Sequence, residues 1–327
     1  MNNDEKRAYA EYLALTAAYY KRRYANDNIA LQYLARSKEI FDNVKGYEAI
    51  KCNVLYNIAA SNTLLGRCDE AKENIKVIAQ MFNRELVDKS DIIYLYLSEG
   101  RLFLIQGKYH EALERVNKAI ETFINNGVNS QDLLLTNSYL LKASILNNLD
   151  QYKEAYAQAQ QLYEMHKLVK REDHEVFGRI YTQMAKSELG LGKIDEAMDH
   201  ITKAIAIFIA DERRNPKEAN YSEDPDLAAS YVVQGDIYFV QDNLKQAVEF
   251  YKKAQLIYFY LYGDRSKNVA HMSYLYTQGA KAACKAEDLY NYKTFGEAQV
   301  REFGINHTGT ISMFEYCKQY NMDLLAK

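Results

Sequence analysis

Proline is nearly missing from this chain: there are two in 327 residues, where average usage of about 5% gives about sixteen. Glycine, at 14, is sparse as well. A turn-rich all-β protein needs both residues, so their scarcity excludes that class and points to helix. An excess of one charge sign is missing too. The 41 Lys+Arg and 44 Asp+Glu leave a net charge of −3, so no global field draws the chain onto nucleic acid or an anionic membrane. The four cysteines (Cys52, Cys68, Cys284, Cys317) form no CxxC pair and no metal-ligand spacing. They read as free thiols of a reducing compartment. No stretch approaches about eighteen uninterrupted apolar residues, and the polar start, Met1 to Arg7, is neither signal peptide nor anchor. Together these absences describe a soluble cytoplasmic protein. What is present, 48% hydrophobic and 26% charged residues, is ordinary for a folded chain.

The positive signal is internal repetition. Gly107–Phe123, Gly192–Phe208 and Asp242–Tyr258 superpose on one another, with an alanine after an acidic or amide residue at Ala112, Ala197 and Ala247. Weaker copies place the same anchor at Ala30, Ala71 and Ala155, and a degenerate seventh has Tyr292 there. The interval is about 42 residues, with one longer step after Ala197. Columns not used to set the register support it. Twelve residues before the anchors stand Ala18, Ala59, Gly100, Ala143, Ala185, Gly235 and Ala280, all small. Eleven after stand Phe41, Phe82, Phe123, His166, Phe208 and Tyr258. Sixteen before, six of seven residues are large, and five of those are tyrosine.

Each unit reads as a helical hairpin. The small residue lets the first helix approach the second, and Gly66, Gly107 and Gly192 supply the left-handed residue that ends the first helix. The second helix carries apolar residues at helical spacing, as in Leu113, Val116, Ala119, Ile120 and Phe123. One hairpin cannot bury such a face alone, so neighbours must stack into an α-solenoid. The linker at residues 211–226 holds both prolines, Pro216 and Pro225, and reads as an exposed loop. Residues 310–325 have apolar positions at helical spacing and read as a capping helix.

The small-residue, turn and alanine columns resemble the tetratricopeptide repeat over nearly the whole chain. Their long period, with extra length in the second helix and the link, resembles the repeats of kinesin light chain. Asp224–Tyr238 and Tyr262–Ala282 are the most similar segments. The resemblance implies an all-α fold: one right-handed superhelix over residues 1–327, with six to seven hairpins plus the cap. It also implies that the first helices line a concave surface. Chaperone-tail adaptors of this family grip a carboxylate with first-helix Lys and Asn, but here those places hold Leu15, Tyr19, Tyr94 and Ser98, and only Asn57 matches.

Catalytic and metal motifs are not recognisable. His110 begins His-Glu-Ala-Leu-Glu and lacks the second histidine of HExxH, and no histidine has Glu three residues before it. Gly190-Leu-Gly192-Lys joins two helices, follows no strand and lacks the first glycine of a phosphate loop. His166 falls in the aromatic column and reads as packing, Cys284 as a helix-borne thiol. No catalytic residue, metal or cofactor is expected.

Residues eighteen, fifteen, eleven and eight before each anchor are those the resemblance turns toward the groove. The candidate binding set taken from them is Tyr12, Tyr19 and Arg22; Asn53 and Tyr56; Tyr94, Leu97 and Arg101; Asn137, Leu140 and Asn147; Arg179 and Lys186; Phe239; and Tyr274 and Lys281. These positions hold five cations against one acid, Asp236. Asparagines suit a peptide backbone, and Tyr56, Leu97 and Leu140 are the expected seats for apolar anchors. The expectation is a non-enzymatic module that binds an acidic peptide or protein segment. The alternative is a peptide-sensing regulator resembling bacterial signal-peptide receptors. Those carry an N-terminal output domain, for which the chain leaves no room unless it is a fragment.

Overall fold

A computed structural model describes residues 2–24, 26–127, 132–168, 170, 174–210, 224–263, 265, 269–320 and 322. Among them are fifteen α-helices, one short 3-10 turn at Lys89–Asp91 and no strand. They fall into two compact units, residues 2–170 and 174–322. The first is four helical hairpins: α1 (Asn3–Tyr24) with α2 (Asp27–Asp42), α3 (Glu48–Leu64) with α4 (Cys68–Asn83), α5 (Ile92–Ile105) with α6 (Tyr109–Asn125), and α7 (Leu133–Asn148) with α8 (Tyr152–Lys167). The second is three hairpins and a cap: α9 (Glu175–Gly190) with α10 (Ile194–Ala210), α11 (Pro225–Val240) with α12 (Leu244–Tyr262), α13 (Ala270–Lys285) with α14 (Leu289–Phe303), and then α15 (Thr308–Lys318). Within each unit, second helices pack on the following first helix, as α2 does on α3 and α12 on α13, so each unit is a run of α-solenoid.

The turns show why the sequence folds this way. Five residues before the anchor stand Gly66, Gly107, Asp150, Gly192, Asp242 and Glu287, and all six have positive φ, from 57° to 75°. Gly107 N–H donates to the Leu104 carbonyl at 3.0 Å, and Lys108 N–H reaches back to Phe103 at 2.8 Å. That pair of bonds satisfies carbonyls the helix end leaves open. Asp150, Asp242 and Glu287 take the same conformation without glycine, at a steric cost of about 1 kcal/mol or more each. Starts are capped as well. Asp132 Oδ1 accepts from the N–H groups of Leu134 and Leu135, and Asp224 caps α11 with Pro225 at its first position.

All seven anchors are buried, Tyr292 included. At the small column, a Cβ on Gly100 would lie 2.7 Å from Val116 Cγ2, and one on Gly235 2.7 Å from Tyr251 Cε1. The helices touch there, as the column predicts. Each fully buried Leu, Ile or Phe behind these contacts contributes on the order of 1.5–3 kcal/mol.

Three expectations change. In α1 the register slips by one residue: Ala18 is exposed, and Ala17, with Ala10 and Leu13, faces the core instead. The spacing 10, 13, 17 follows one helical face, and Ala10 and Ala17 join Leu34 and Phe41 of α2 in one cluster. The capping helix is shorter than expected, Thr308–Lys318, anchored by buried Thr310, Met313 and Cys317. Of the 211–226 linker, residues 211–223 lie outside the described residues, and the remainder is the cap and first turn of α11.

Candidate functional site

In the first unit the first helices are α1, α3, α5 and α7. On α1, Tyr12 and Tyr19 are 61% and 53% exposed, because the one-residue slip turns the Ala10–Leu13–Ala17 stripe inward and leaves them outside it. The side chain of Arg22 lies outside the described residues. On α3 and α5 a polar row forms. Asn57 Nδ2 donates to Asn53 Oδ1 at 3.1 Å, and Asn53 Nδ2 donates to Tyr94 Oη at 3.1 Å. The Tyr94 ring lies 5.3 Å from that of Tyr56, and burial raises the Tyr94 phenol above its ordinary pKa. Asn137, half-buried on α7, occupies the same repeat position as Asn53 and Tyr94.

Arg101 is half-buried on α5 in the same face. Its Nε is shut off from solvent with no hydrogen-bond acceptor, and among the described residues no carboxylate pairs with its guanidinium. Arg115, on the second helix of the same hairpin, instead pairs with Glu99 at 3.2 Å. A guanidinium has five donors in a fixed fork, and taking it partly out of water without an acceptor is unfavourable. A carboxylate placed against it restores the balance with two parallel hydrogen bonds.

The expected apolar seats are not available in this arrangement. Tyr56, Leu97 and Leu140 are buried, the first two inside the cluster that also holds Ile78, Met81 and Phe123. Their repeat positions face the junction of neighbouring hairpins more than the groove. Asn147 is buried too.

The second unit carries a different arrangement on α9, α11 and α13. Asp236 accepts from Tyr251 Oη at 2.7 Å and from Tyr274 Oη at 3.0 Å. Burial lifts its pKa to about 6, against the opposing effect of the two phenols and of Lys186. His271 shares a 3.0 Å hydrogen bond with Tyr262 Oη, and burial, with help from Lys186, pushes its pKa down to about 4. The lone acid of the groove set is therefore enclosed by tyrosines. Arg179 faces Asp226 of α11, Nε to Oδ2 at 3.7 Å.

The cap covers the last first helix. Lys281 Nζ donates to Ser312 Oγ at 2.8 Å and sits 5.5 Å over the Tyr316 ring, and burial lowers its pKa. Phe239 lies 6.3 Å from the same ring. Sequence reasoning missed Ser312, Tyr316, Tyr251 and His271. The first two lie on the cap, outside the repeat register, Tyr251 is on a second helix, and His271 is not among the groove positions.

Among the described residues no group of three or more His, Cys, Asp or Glu side chains is placed to hold a metal ion, and no helix is long and apolar enough to cross a membrane. All four cysteines are free and buried, and burial raises Cys52 to about 12, so its thiol stays protonated and unreactive near neutral pH. His166 is a core residue bonded to Thr136 Oγ1 at 3.0 Å.

The family model described as tetratricopeptide repeat matches residues 228–259, which lie within the α11–α12 hairpin. No curated protein matches the chain. Among solved structures, a Rap protein complexed with competence and sporulation factor is 12% identical, covers 95% of this chain and 87% of its own, and superposes with a TM-score of 0.63. A tetratricopeptide repeat protein from Parabacteroides merdae is 13% identical, covering 96% and 100%, with a TM-score of 0.49. A putative kinesin light chain repeat protein of Podosopora anserina is 16% identical, covering 65% and 99%, with a TM-score of 0.45. The repeats seen in the sequence are tetratricopeptide-like helical hairpins.

Proposed function

We propose that this chain of tetratricopeptide-like repeats is a non-enzymatic interaction module, and that the first-helix face of its first unit binds an acidic segment of a partner protein. Arg101 carries the reading: a half-buried guanidinium without an acceptor, two helical turns along α5 from Tyr94 and its Asn53 partner, with Asn137 at the same repeat position on α7. A ligand carboxylate takes the fork of Arg101, and its backbone meets the side-chain amides of Asn53 and Asn137. A large apolar side chain beside the acid rests on the exposed part of the Tyr94 ring. A reducing, cytoplasmic setting fits four free buried thiols.

The test is selection of peptides from a random display library on the wild-type protein. Selected peptides should carry Asp or Glu next to Leu, Phe or Tyr, bind more weakly as salt rises, and fail on Arg101→Glu with helical content unchanged. Peptides without acids, or equal binding to that variant, would refute the site.

A second reading makes the bound segment a signal and the chain its regulator. The superposition on the Rap protein bound to competence and sporulation factor, over 95% of this chain, favours it. Under that reading the ligand should change the affinity of the chain for another protein, by the same factor in both directions.

A further inference from the structure

The second unit holds a groove that the first-helix reading does not use. It runs between the second helices α12 and α14, over Tyr276 of α13, with a volume of about 790 Å³. That is within the usual range for a site that encloses a ligand. Val248, Tyr276 and Ala298 form a buried apolar floor. Leu256 and Phe259 rise from one wall and are 46% and 65% exposed. An aromatic ring left mostly in water beside a concave apolar floor is the pattern of an anchor awaiting a partner.

The charges define the occupant. Four cations line the groove (Lys245, Lys252, Lys253, Arg301) against two acids, Glu249 and Asp288. Both acids are engaged: Glu249 pairs with Lys253 at 2.7 Å, and Asp288 caps α14 through the Asn291 N–H at 3.0 Å. Arg301 has Glu302 at 2.9 Å. Among the described residues Lys245 and Lys252 have no carboxylate partner. They stand two helical turns apart on one wall, so uncompensated positive charge runs along the groove in a chain whose total is −3. From Lys245 to Phe259 the wall extends about 21 Å, room for about four turns of a docked helix.

We infer that this groove docks an amphipathic helix of a partner protein, with an apolar stripe set against Val248, Leu256 and Phe259 and Asp or Glu residues facing Lys245 and Lys252. Apolar anchors at i, i+3 or i+4, and i+7 are how an amphipathic helix presents its apolar face to a hydrophobic groove. The acids steer the encounter and fix the direction of the helix, and the anchors supply the affinity.

The test is display selection of helical sixteen-residue peptides, with Leu or Phe at i, i+4 and i+7 and the other positions randomised, on the full chain. The inference expects selected peptides rich in Asp and Glu. It expects Lys245→Glu/Lys252→Glu and Phe259→Ala each to weaken them tenfold or more, and Arg101→Glu to leave them unchanged. Lys245, Lys252 and Phe259 are exposed, and circular dichroism and melting confirm that each variant, Arg101→Glu included, folds. The inference is overturned if no acidic peptide is enriched, or if the groove variants bind as well as the wild type. It is also overturned if Phe259→Asp converts a wild-type dimer to monomer, because the occupant is then a second copy. A loss confined to Arg101→Glu would leave the first-helix site standing and sink this one.

Discussion

In the second unit α11 packs closely on α12 at Gly235. An added Cβ there would sit 2.7, 2.9 and 3.1 Å from Cε1, Cδ1 and Cζ of Tyr251, where carbon atoms at rest stand about 3.5–4.0 Å apart. The ring cannot easily retreat. Tyr251 is fully buried, and its hydroxyl is held at 2.7 Å by Asp236. Gly235→Ala gains about 0.5–1 kcal/mol of helix propensity and, against a ring held in place, loses about 2–3 kcal/mol to overpacking, so the expected net cost is about 1–2.5 kcal/mol. At about 2–4 °C per kcal/mol for a unit of this size, the melting temperature should fall by about 2–10 °C. Differential scanning calorimetry of the full chain reads this directly. Tyr251→Leu combined with Gly235→Ala should cost less than the two single changes added together, because the smaller side chain removes the clash. An unchanged or raised melting temperature for Gly235→Ala would refute the packing register on which the repeat reading stands.

The turns give a pair of opposite predictions. Asp242→Gly and Glu287→Gly relieve non-glycine residues at φ 61° and 57°, and each should raise stability by up to about 1 kcal/mol. Gly192→Ala, at φ 75°, should lower it by about as much. Calorimetry of the three variants checks the signs together. Asp236 sets a pH dependence. Its native pKa near 6 lies above the ordinary value of about 3.9, so the native state holds the proton more tightly, and this group adds stability as pH falls through 6. His271, near 4 in the native state, acts in reverse, and its contribution is lost as pH falls below about 6.5. The stability of the wild type relative to Asp236→Asn should therefore rise between pH 7 and pH 5, and parallel melting curves would contradict it.

The helical hairpins were legible because close helix packing forces a periodic sequence. Alanine at Ala71, Ala112 and Ala197 and glycine at Gly100 and Gly235 are needed wherever two backbones approach. Three of the six turns were legible for a similar reason, since glycine is the usual solution to positive φ. Asp150, Asp242 and Glu287 solve the same problem with side chains that also occur in helices, so they carry no such signal. The slip in α1 was hidden because Ala17 and Ala18 are both alanine, and only the observed burial separates them. The candidate site was legible by position and not by contact. Counting from an anchor finds Arg101 and Asn53, yet it cannot say that Leu97 is swallowed by the neighbouring hairpin or that Ser312 of the cap reaches Lys281. Those facts depend on pairings distant in sequence.

The central claim is that Arg101 receives a ligand carboxylate, and a charge-swap cycle tests it most directly. One library-selected peptide and its counterpart with the key Asp or Glu changed to Lys are titrated against the wild type and Arg101→Glu. Removing one member of a close, partly desolvated pair costs about 2–5 kcal/mol, or about 30-fold and more in Kd. The account predicts that loss for each single change, with affinity substantially regained when the Lys peptide meets the Glu variant. Independent effects of the two changes, with no regain, would contradict it.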